Sequence, residues 1–231
     1  MQPYFLPYIA YFQLIDHCDK FVVYDDIEYT KRGWINRNRI LAGGSGSARM
    51  ITLPLRRDSD YVDVRDREIA PDFDAGKMLA LLEASYRKAP FWGNYQQPLE
   101  SILQYPGRNL FAFVANSISV ITACLGISTD VIVSSSLGID RSLRGQDRVL
   151  ETCAAIGATE YVNPIGGLDL YEDSAFADRG MRLGFLRSRL TPYKQFSFPY
   201  VEALSIVDTM MFVAPVELGS RVRSDYEIVG R

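Results

Sequence analysis

From residue 110 onward the chain alternates helix-spaced apolar stretches with short β-branched runs, and that alternation limits the folds open to it. Leu110, Val114, Ile118, Ile121 and Leu125 recur at helical spacing and are followed by Gly126, at the position favoured for a left-handed cap. Val131-Ile132-Val133 then reads as a buried strand, Gln146 to Ile156 as a helix closed by Gly157, Glu160-Tyr161-Val162 as another strand and Met181 to Leu186 as a further one. Strands alternating with helices predict an α/β fold, a mostly parallel sheet flanked by helices. The stretch from Val133 to Glu160 exceeds the roughly 10–12 residues that a right-handed crossover needs.

The first half adds a different element. Tyr8, Tyr11, Phe12 and Ile15 predict a short helix ending near His17-Cys18, and Phe21-Val22-Val23-Tyr24 a buried strand ending in Asp25-Asp26. Residues 34–54 predict an inserted β-hairpin, with Trp34 to Leu41 and Arg49 to Leu53 as strands around the turn Gly43-Gly44-Ser45-Gly46-Ser47. Ala75 to Tyr86 predicts a helix stopped by Lys88-Ala89-Pro90-Phe91-Trp92, and Ala203 to Phe212 a last helix before a loose polar tail over 213–231. With no linker-like stretch, the whole of 1–231 is expected to be a single domain.

Residues 2–8 fit none of these elements. Pro3 and Pro7 bracket Tyr4, Phe5 and Leu6, which excludes a helix interior or a central strand. The segment reads as a rigid aromatic loop. In an α/β protein a buried strand ordinarily precedes such a loop, and here none does.

Composition narrows the function classes. Hydrophobic content of 48%, charged content of 23% and net charge −3 are ordinary for a soluble globular chain. No stretch approaches the about 20 apolar residues of a membrane span, and no charged leader is present, so a cytoplasmic location is expected. Cys18, Cys124 and Cys153 are odd in number and set in apolar helical patterns, which predicts buried free thiols and neither a disulfide framework nor a metal site. A pI near 5.3 without a wide basic face argues against nucleic acid. His17 stands alone at a helix end, and the serine run lacks the Gly-x-Ser-x-Gly pattern, so a serine or cysteine hydrolase is disfavoured. Phosphate-loop and dinucleotide glycine motifs are absent as well.

In open parallel sheets, ligands bind outside the carboxyl ends of the strands. Four polar motifs fall at such positions: Asp25-Asp26, Ser134-Ser135-Ser136, Asn163 through Gly167, and the Gln2 loop. Asp25 and Asp26 could act as acid and base or hold a metal through oxygen ligands, or could be a turn signal. Being adjacent, they point to opposite sides of an extended chain, so at most one faces a ligand. Lys31, Arg32, Arg37 and Arg39 crowd around Trp34, with Trp34, Asn36 and Asn38 on one strand face. An arginine fork grips phosphate or carboxylate and a tryptophan stacks on a flat ring, which suits a diphosphate-linked sugar; a solvated hairpin edge would show the same residues. Tyr193 and Gln195 alternate onto one face of an extended segment, where they either close over a ligand or fix a loop.

Taken together, Gln2-Pro3-Tyr4-Phe5-Leu6-Pro7-Tyr8 with Tyr11 to Ile15, the Tyr24-Asp25-Asp26 strand end, and Lys31-Arg32-x-Trp34-x-Asn36-Arg37-Asn38 resemble the WbqC-like protein family. So do Ser134-Ser135, Tyr161-x-x-Pro164 with Gly166, Tyr171, Phe176, Tyr193-x-Gln195 and Leu204 to Asp208. The resemblance implies a role in bacterial O-antigen-type surface-polysaccharide synthesis, as a transferase placing an aminoacyl or acyl group on a nucleotide-linked amino sugar. The alternative is a non-catalytic sugar-nucleotide-binding or scaffold protein. No catalytic assignment, cofactor or oligomeric state comes with it. The chemistry above gives Asp25, Asp26 and Gln2 as candidate catalytic residues. Tyr4, Tyr8, Lys31, Trp34, Asn36, Arg37, Asn38, Ser134, Ser135, Asn163, Gly166, Tyr193 and Gln195 are the candidate substrate contacts. Family members usually begin with a short apolar strand before the Gln-Pro-Tyr motif, so a first strand is expected to be missing here. The order of elements is also similar to nucleotidyltransferase-type α/β layering, by fold-level analogy alone.

Overall fold

The computed structural model describes residues 1–43, 46–59, 61–196 and 199–230; Gly44 and Ser45 of the expected hairpin turn lie outside the described residues. The first helix, α1 (Ile9–His17), buries every residue from Ile9 to Ile15, all of them apolar or aromatic except Gln13, as suits a core helix. It leads into β1 (Lys20–Val23), which ends at Asp25-Asp26. The hairpin strands β2 (Arg37–Leu41) and β3 (Ala48–Thr52) pair antiparallel, Arg37 opposite Thr52. Three helices follow: α2 (Ala75–Tyr86), α3 (Trp92–Leu103) and α4 (Leu110–Leu125). Helix α4 is closed at each end by its own chemistry. The Asn109 side chain accepts from Ala112 N, and Gly126 at φ +69° returns its N–H to Ala123 O and Thr122 O.

The second half alternates as expected: β4 (Asp130–Val133), α5 (Gly145–Ala155), β5 (Glu160–Pro164), α6 (Asp173–Ala177) and β6 (Arg182–Ser188). Strand β4 pairs parallel with β1, and β5 parallel with β6. The chain is therefore α/β, its parallel pairs flanked by helices, although the described strands fall into three small sheets. Strands β1 and β5 both line a cavity of ≈ 400 Å³. At its edge, Met1 N bonds Val22 O at 2.7 Å and Tyr24 N bonds Met1 O at 2.9 Å, a parallel rung on β1.

Four expectations need correction. Strand β4 is not buried: Val131 is 42% exposed, because β4 has β1 as its one strand neighbour among the described residues. Helix α3 was hidden by Pro98, which removes one helical hydrogen bond; burial of Trp92, Tyr95, Leu99, Ile102 and Leu103 along one face overrides that penalty. Cys18 and Cys124 are only partly buried, though all three thiols are free. The tail is not loose either. After α7 (Ile206–Phe212), residues 215–224 form α8 (Pro215–Ser224), with proline in the first turn, and 226–229 form β7 (Tyr226–Val229), antiparallel to β6. Buried Gln13 of α1 explains why, since its amide nitrogen donates to Arg221 O at 2.9 Å and Asp225 O at 3.2 Å at the end of α8. Among the described residues no helix is long and apolar enough to cross a membrane.

The 2–8 segment is held from two sides. Asn38 of β2 donates through Nδ2 to Phe5 O at 3.0 Å and Leu6 O at 2.7 Å, while its Oδ1 accepts from Arg39 N. From the start of α7, the Ser205 hydroxyl donates to Leu6 O and Ile206 N to Pro7 O. Leu6 itself sits at φ +46°, strained for a residue with a side chain. Replacing Asn38 by Ala leaves buried carbonyls with lost donors, so Asn38→Ala is expected to lower the unfolding free energy by about 2–4 kcal/mol. Urea denaturation monitored by circular dichroism measures it, and a loss under about 0.5 kcal/mol would show the clamp to be idle.

Candidate functional site

A second, larger cavity of ≈ 860 Å³ opens at the carboxyl ends of β1 and β5, where a parallel arrangement is expected to hold its ligand. Gln2, Tyr4, Tyr8, Trp34, Asn38, Asn163 and Gly166 all line it. Its walls are aromatic: Tyr11, Tyr24, Tyr161 and Tyr171 join Tyr4, Tyr8 and Trp34. Tyr4 and Tyr11 lie 5.7 Å apart, and the Tyr161 ring stacks on Phe176 at 5.5 Å. Burial raises the pKa of Tyr4, Tyr8 and Tyr161, so these hydroxyls stay protonated and serve as hydrogen-bonding groups.

Three guanidinium groups, of Arg39, Arg144 and Arg148, reach the cavity, and no aspartate or glutamate is among the described residues that line it. Arg148 is buried on α5, its guanidinium 5.0 Å from the Tyr24 ring centre. Arg39 sits 5.9 Å from the Trp34 ring and donates to Ala203 O. Two strained residues, Leu190 at φ +46° and Ala203 at φ +51°, also line the wall. Strain of about 1–3 kcal/mol each persists only where surrounding structure enforces it, and it concentrates at functional sites.

The remaining candidates are engaged elsewhere. Asp25 accepts from the Ser134 hydroxyl at 3.0 Å and from Ser135 N and Oγ at 3.0 and 2.7 Å. Asp26 accepts from the Ser134 hydroxyl as well and forms a buried ion pair with Arg148 at 2.5 Å. These groups lie behind the cavity and hold one of its arginines in place. Asp25, Asp26, Ser134 and Ser135 thus lock β1, β4 and α5 together, and neither carboxylate is free to meet a ligand there. Arg37 is turned inward on its own loop, donating to Gly33 O at 2.8 Å and to Arg32 O. Asn36 bridges Leu53 O and the Tyr29 hydroxyl, both at 2.8 Å. Lys31 is outside the cavity lining.

Tyr193 and Gln195 also point away, into the core. Their Oη and Nε2 atoms both donate to Asp208 Oδ1 at 2.7 Å, and the Tyr86 hydroxyl donates to Oδ2 at 3.0 Å. This choice of partner was not visible locally, because Asp208 lies thirteen residues beyond Gln195 on another element. Arg144 and Arg148, absent from the sequence-based candidates, did leave a signal. They are like charges one helical turn apart, an arrangement that destabilises a free helix and therefore points to an anion or a buried carboxylate. Among the described residues, no group of three or more His, Cys, Asp or Glu is arranged to hold a metal ion.

The WbqC-like protein family model matches residues 2–219. A Mycobacterium tuberculosis (strain ATCC 25618 / H37Rv) protein described as "Uncharacterized protein Rv1507c" is 29% identical over 216 residues, covering 92% of each chain. No solved structure matches the chain. With nearly its full length matched, the chain belongs to the WbqC-like protein family.

The two buried carboxylates respond to pH with opposite signs. Burial pushes the Asp26 pKa up, but the Ser134 hydrogen bond and the Arg148 charge outweigh it and leave the value below the ordinary 3.8. The folded state therefore binds fewer protons there, so Asp26 stabilises above the ordinary value and loses that contribution as pH falls through its own. Asp208 is desolvated with hydroxyl and amide donors but no cation, and its pKa is raised above 3.8. Its contribution is full at low pH and falls as pH rises past the ordinary value. Asp26→Asn should cost about 3–5 kcal/mol near neutrality, by leaving the Arg148 charge unpaired, and should flatten the decline of melting temperature below about pH 4. Melting curves between pH 3 and 7 test this, and parallel wild-type and variant profiles would contradict it.

Proposed function

We propose that this member of the WbqC-like family binds a nucleotide-linked sugar in the ≈ 860 Å³ cavity and acts in bacterial surface-polysaccharide synthesis. The observation that carries this reading is the pairing of three arginines with an aromatic wall, with no lining carboxylate. A diphosphate needs fixed cations and a base or sugar ring needs flat apolar faces; the lining offers both. Because Asp26 offsets the charge of Arg148, the net attraction for phosphate falls to Arg144 and Arg39. Of the Lys31, Arg32, Arg37 and Arg39 cluster, Arg39 is the member that lines the cavity. Among classes of reaction, transfer of an acyl or aminoacyl group to an amino sugar fits best. The amine nitrogen would bond to the acyl carbon of an activated donor, the donor's leaving group would depart, and the amine would release a proton. Among the described residues no serine or cysteine lines the cavity to form an acyl-enzyme, so transfer would be direct.

One observation favours a second reading, a binding protein without catalysis: among the described residues no histidine, lysine or carboxylate lines the cavity to serve as general base. Calorimetry with UDP-N-acetylglucosamine tests the shared premise. Arg144→Ala should weaken binding by about 10–100-fold, the worth of one charge-assisted contact, and unaltered affinity would remove the phosphate assignment. Mass spectrometry after incubating a UDP-amino sugar with activated acyl donors separates the readings. A transferase adds the acyl mass, whereas a binder leaves the sugar nucleotide unchanged.

A further inference from the structure

The Asn163 carboxamide is a polar group of the cavity lining that makes no side-chain hydrogen bond to a described residue. It stands at the carboxyl end of β5, is only 9% exposed, and lines the site. Unlike Asn36 and Asn38, whose amides are used up by backbone carbonyls, its side chain bonds to no described residue. It is also held in place. A Cβ on Gly167 would come within 2.2 Å of Asn163 Nδ2 and 3.6 Å of the Tyr171 ring, so a residue without a side chain is required there for the amide to lie where it does. The amide opens onto the cavity, so a ligand that displaces water from it without supplying partners would cost about 1–3 kcal/mol. The cost is removed when a ligand supplies the partners. A carboxamide presents an acceptor oxygen and a donor nitrogen side by side. Its best match is another planar donor–acceptor pair.

We infer that Asn163, positioned by Gly167, is the specificity residue of this site and reads the acylamino group of an N-acylated sugar. The inference rests on the sugar-nucleotide reading above and adds the substituent that is recognised, borne on a different carbon from any amine that would be acylated. The sugar amide N–H meets the Asn163 oxygen, and the sugar amide C=O meets its nitrogen. A hydroxyl at the same carbon can satisfy one half of the pair and leaves the other half buried and unpaired.

Two probes differing only in this group, UDP-N-acetylglucosamine and UDP-glucose, test it by calorimetry. Wild type should bind the acetamido sugar at least about 10-fold more tightly, the worth of one additional satisfied hydrogen-bonding group. Asn163→Asp keeps the shape but loses the donor, and should abolish the preference. Gly167→Ala displaces the amide without removing it and should do the same in protein with wild-type circular dichroism. The isosteric Asp variant decides the matter even if the alanine variant does not fold. Equal affinity of wild type for the two probes overturns the inference and leaves the sugar-nucleotide reading intact. Equal weakening of both probes by Asn163→Asp, with the preference between them intact, would overturn the sugar assignment. Binding of neither probe overturns both readings.

Discussion

The bonds from Asn38 to the carbonyls of Phe5 and Leu6 are the constraint on which the cavity depends. The 2–8 segment has two prolines and so cannot satisfy its backbone groups in a helix or sheet ladder. It borrows partners instead: Asn38 from the hairpin, Ser205 and Ile206 from the start of α7, and Ile35 O for Phe5 N. Three parts of the chain distant in sequence are thereby fixed around one turn. The turn is strained at Leu6, and Leu190 and Ala203, which line the cavity, carry similar strain. The hairpin, which looks in sequence like an accessory insertion, therefore helps to fix the segment that carries Tyr4 and Tyr8 into the cavity wall.

A similar division of labour governs the acidic residues. An aspartate pair at a strand end invites a catalytic reading, yet the neighbouring strand ends in two serines and α5 places an arginine beside it. In a low-dielectric interior an ionised carboxylate takes whatever donors are nearest. Asp25 and Asp26 are therefore fully occupied in joining β1, β4 and α5. What reaches the cavity is the far side of that network, the Arg148 guanidinium over Tyr24. The charge that the sequence advertises is negative, and the charge that the site presents is positive.

This explains how far sequence alone could be read. Helices with full apolar periodicity, such as α1, α2 and α4, and the strands leading to Asp25, Ser134 and Asn163 were legible, because their signals are local. So was the general position of the site, since strand polarity places β1, β4 and β5 with their carboxyl ends together. Helix α3 was not, because Pro98 is a local signal that distant packing overrules. The tail was not either, since its partners are distant in sequence: Gln13 at the opposite end of the chain for α8, and β6 for β7. Within the site, the aromatic loop and Asn163 could be picked out. Asn36, Arg37, Tyr193 and Gln195 could not be assigned from spacing, because a polar side chain's role depends on which partner reaches it first.

The cationic lining bears on the chemistry in one more way. A cavity without a base looks unsuited to transfer onto an amine, because the ammonium form has no lone pair to attack with. Nearby positive charge, however, disfavours the protonated amine, as does removal from water. An amino sugar held between Arg39 and Arg144 by its phosphates would thus be bound preferentially as the free amine, its proton already lost to solvent. The same cations would stabilise the negative charge that develops on the acyl oxygen as the carbon–nitrogen bond forms. Arginine cannot give up its own proton in this range, so it performs both tasks without being consumed by either. On this reading the field performs only the first of two deprotonations, and the proton released as the carbon–nitrogen bond forms would leave with the donor's leaving group or to solvent.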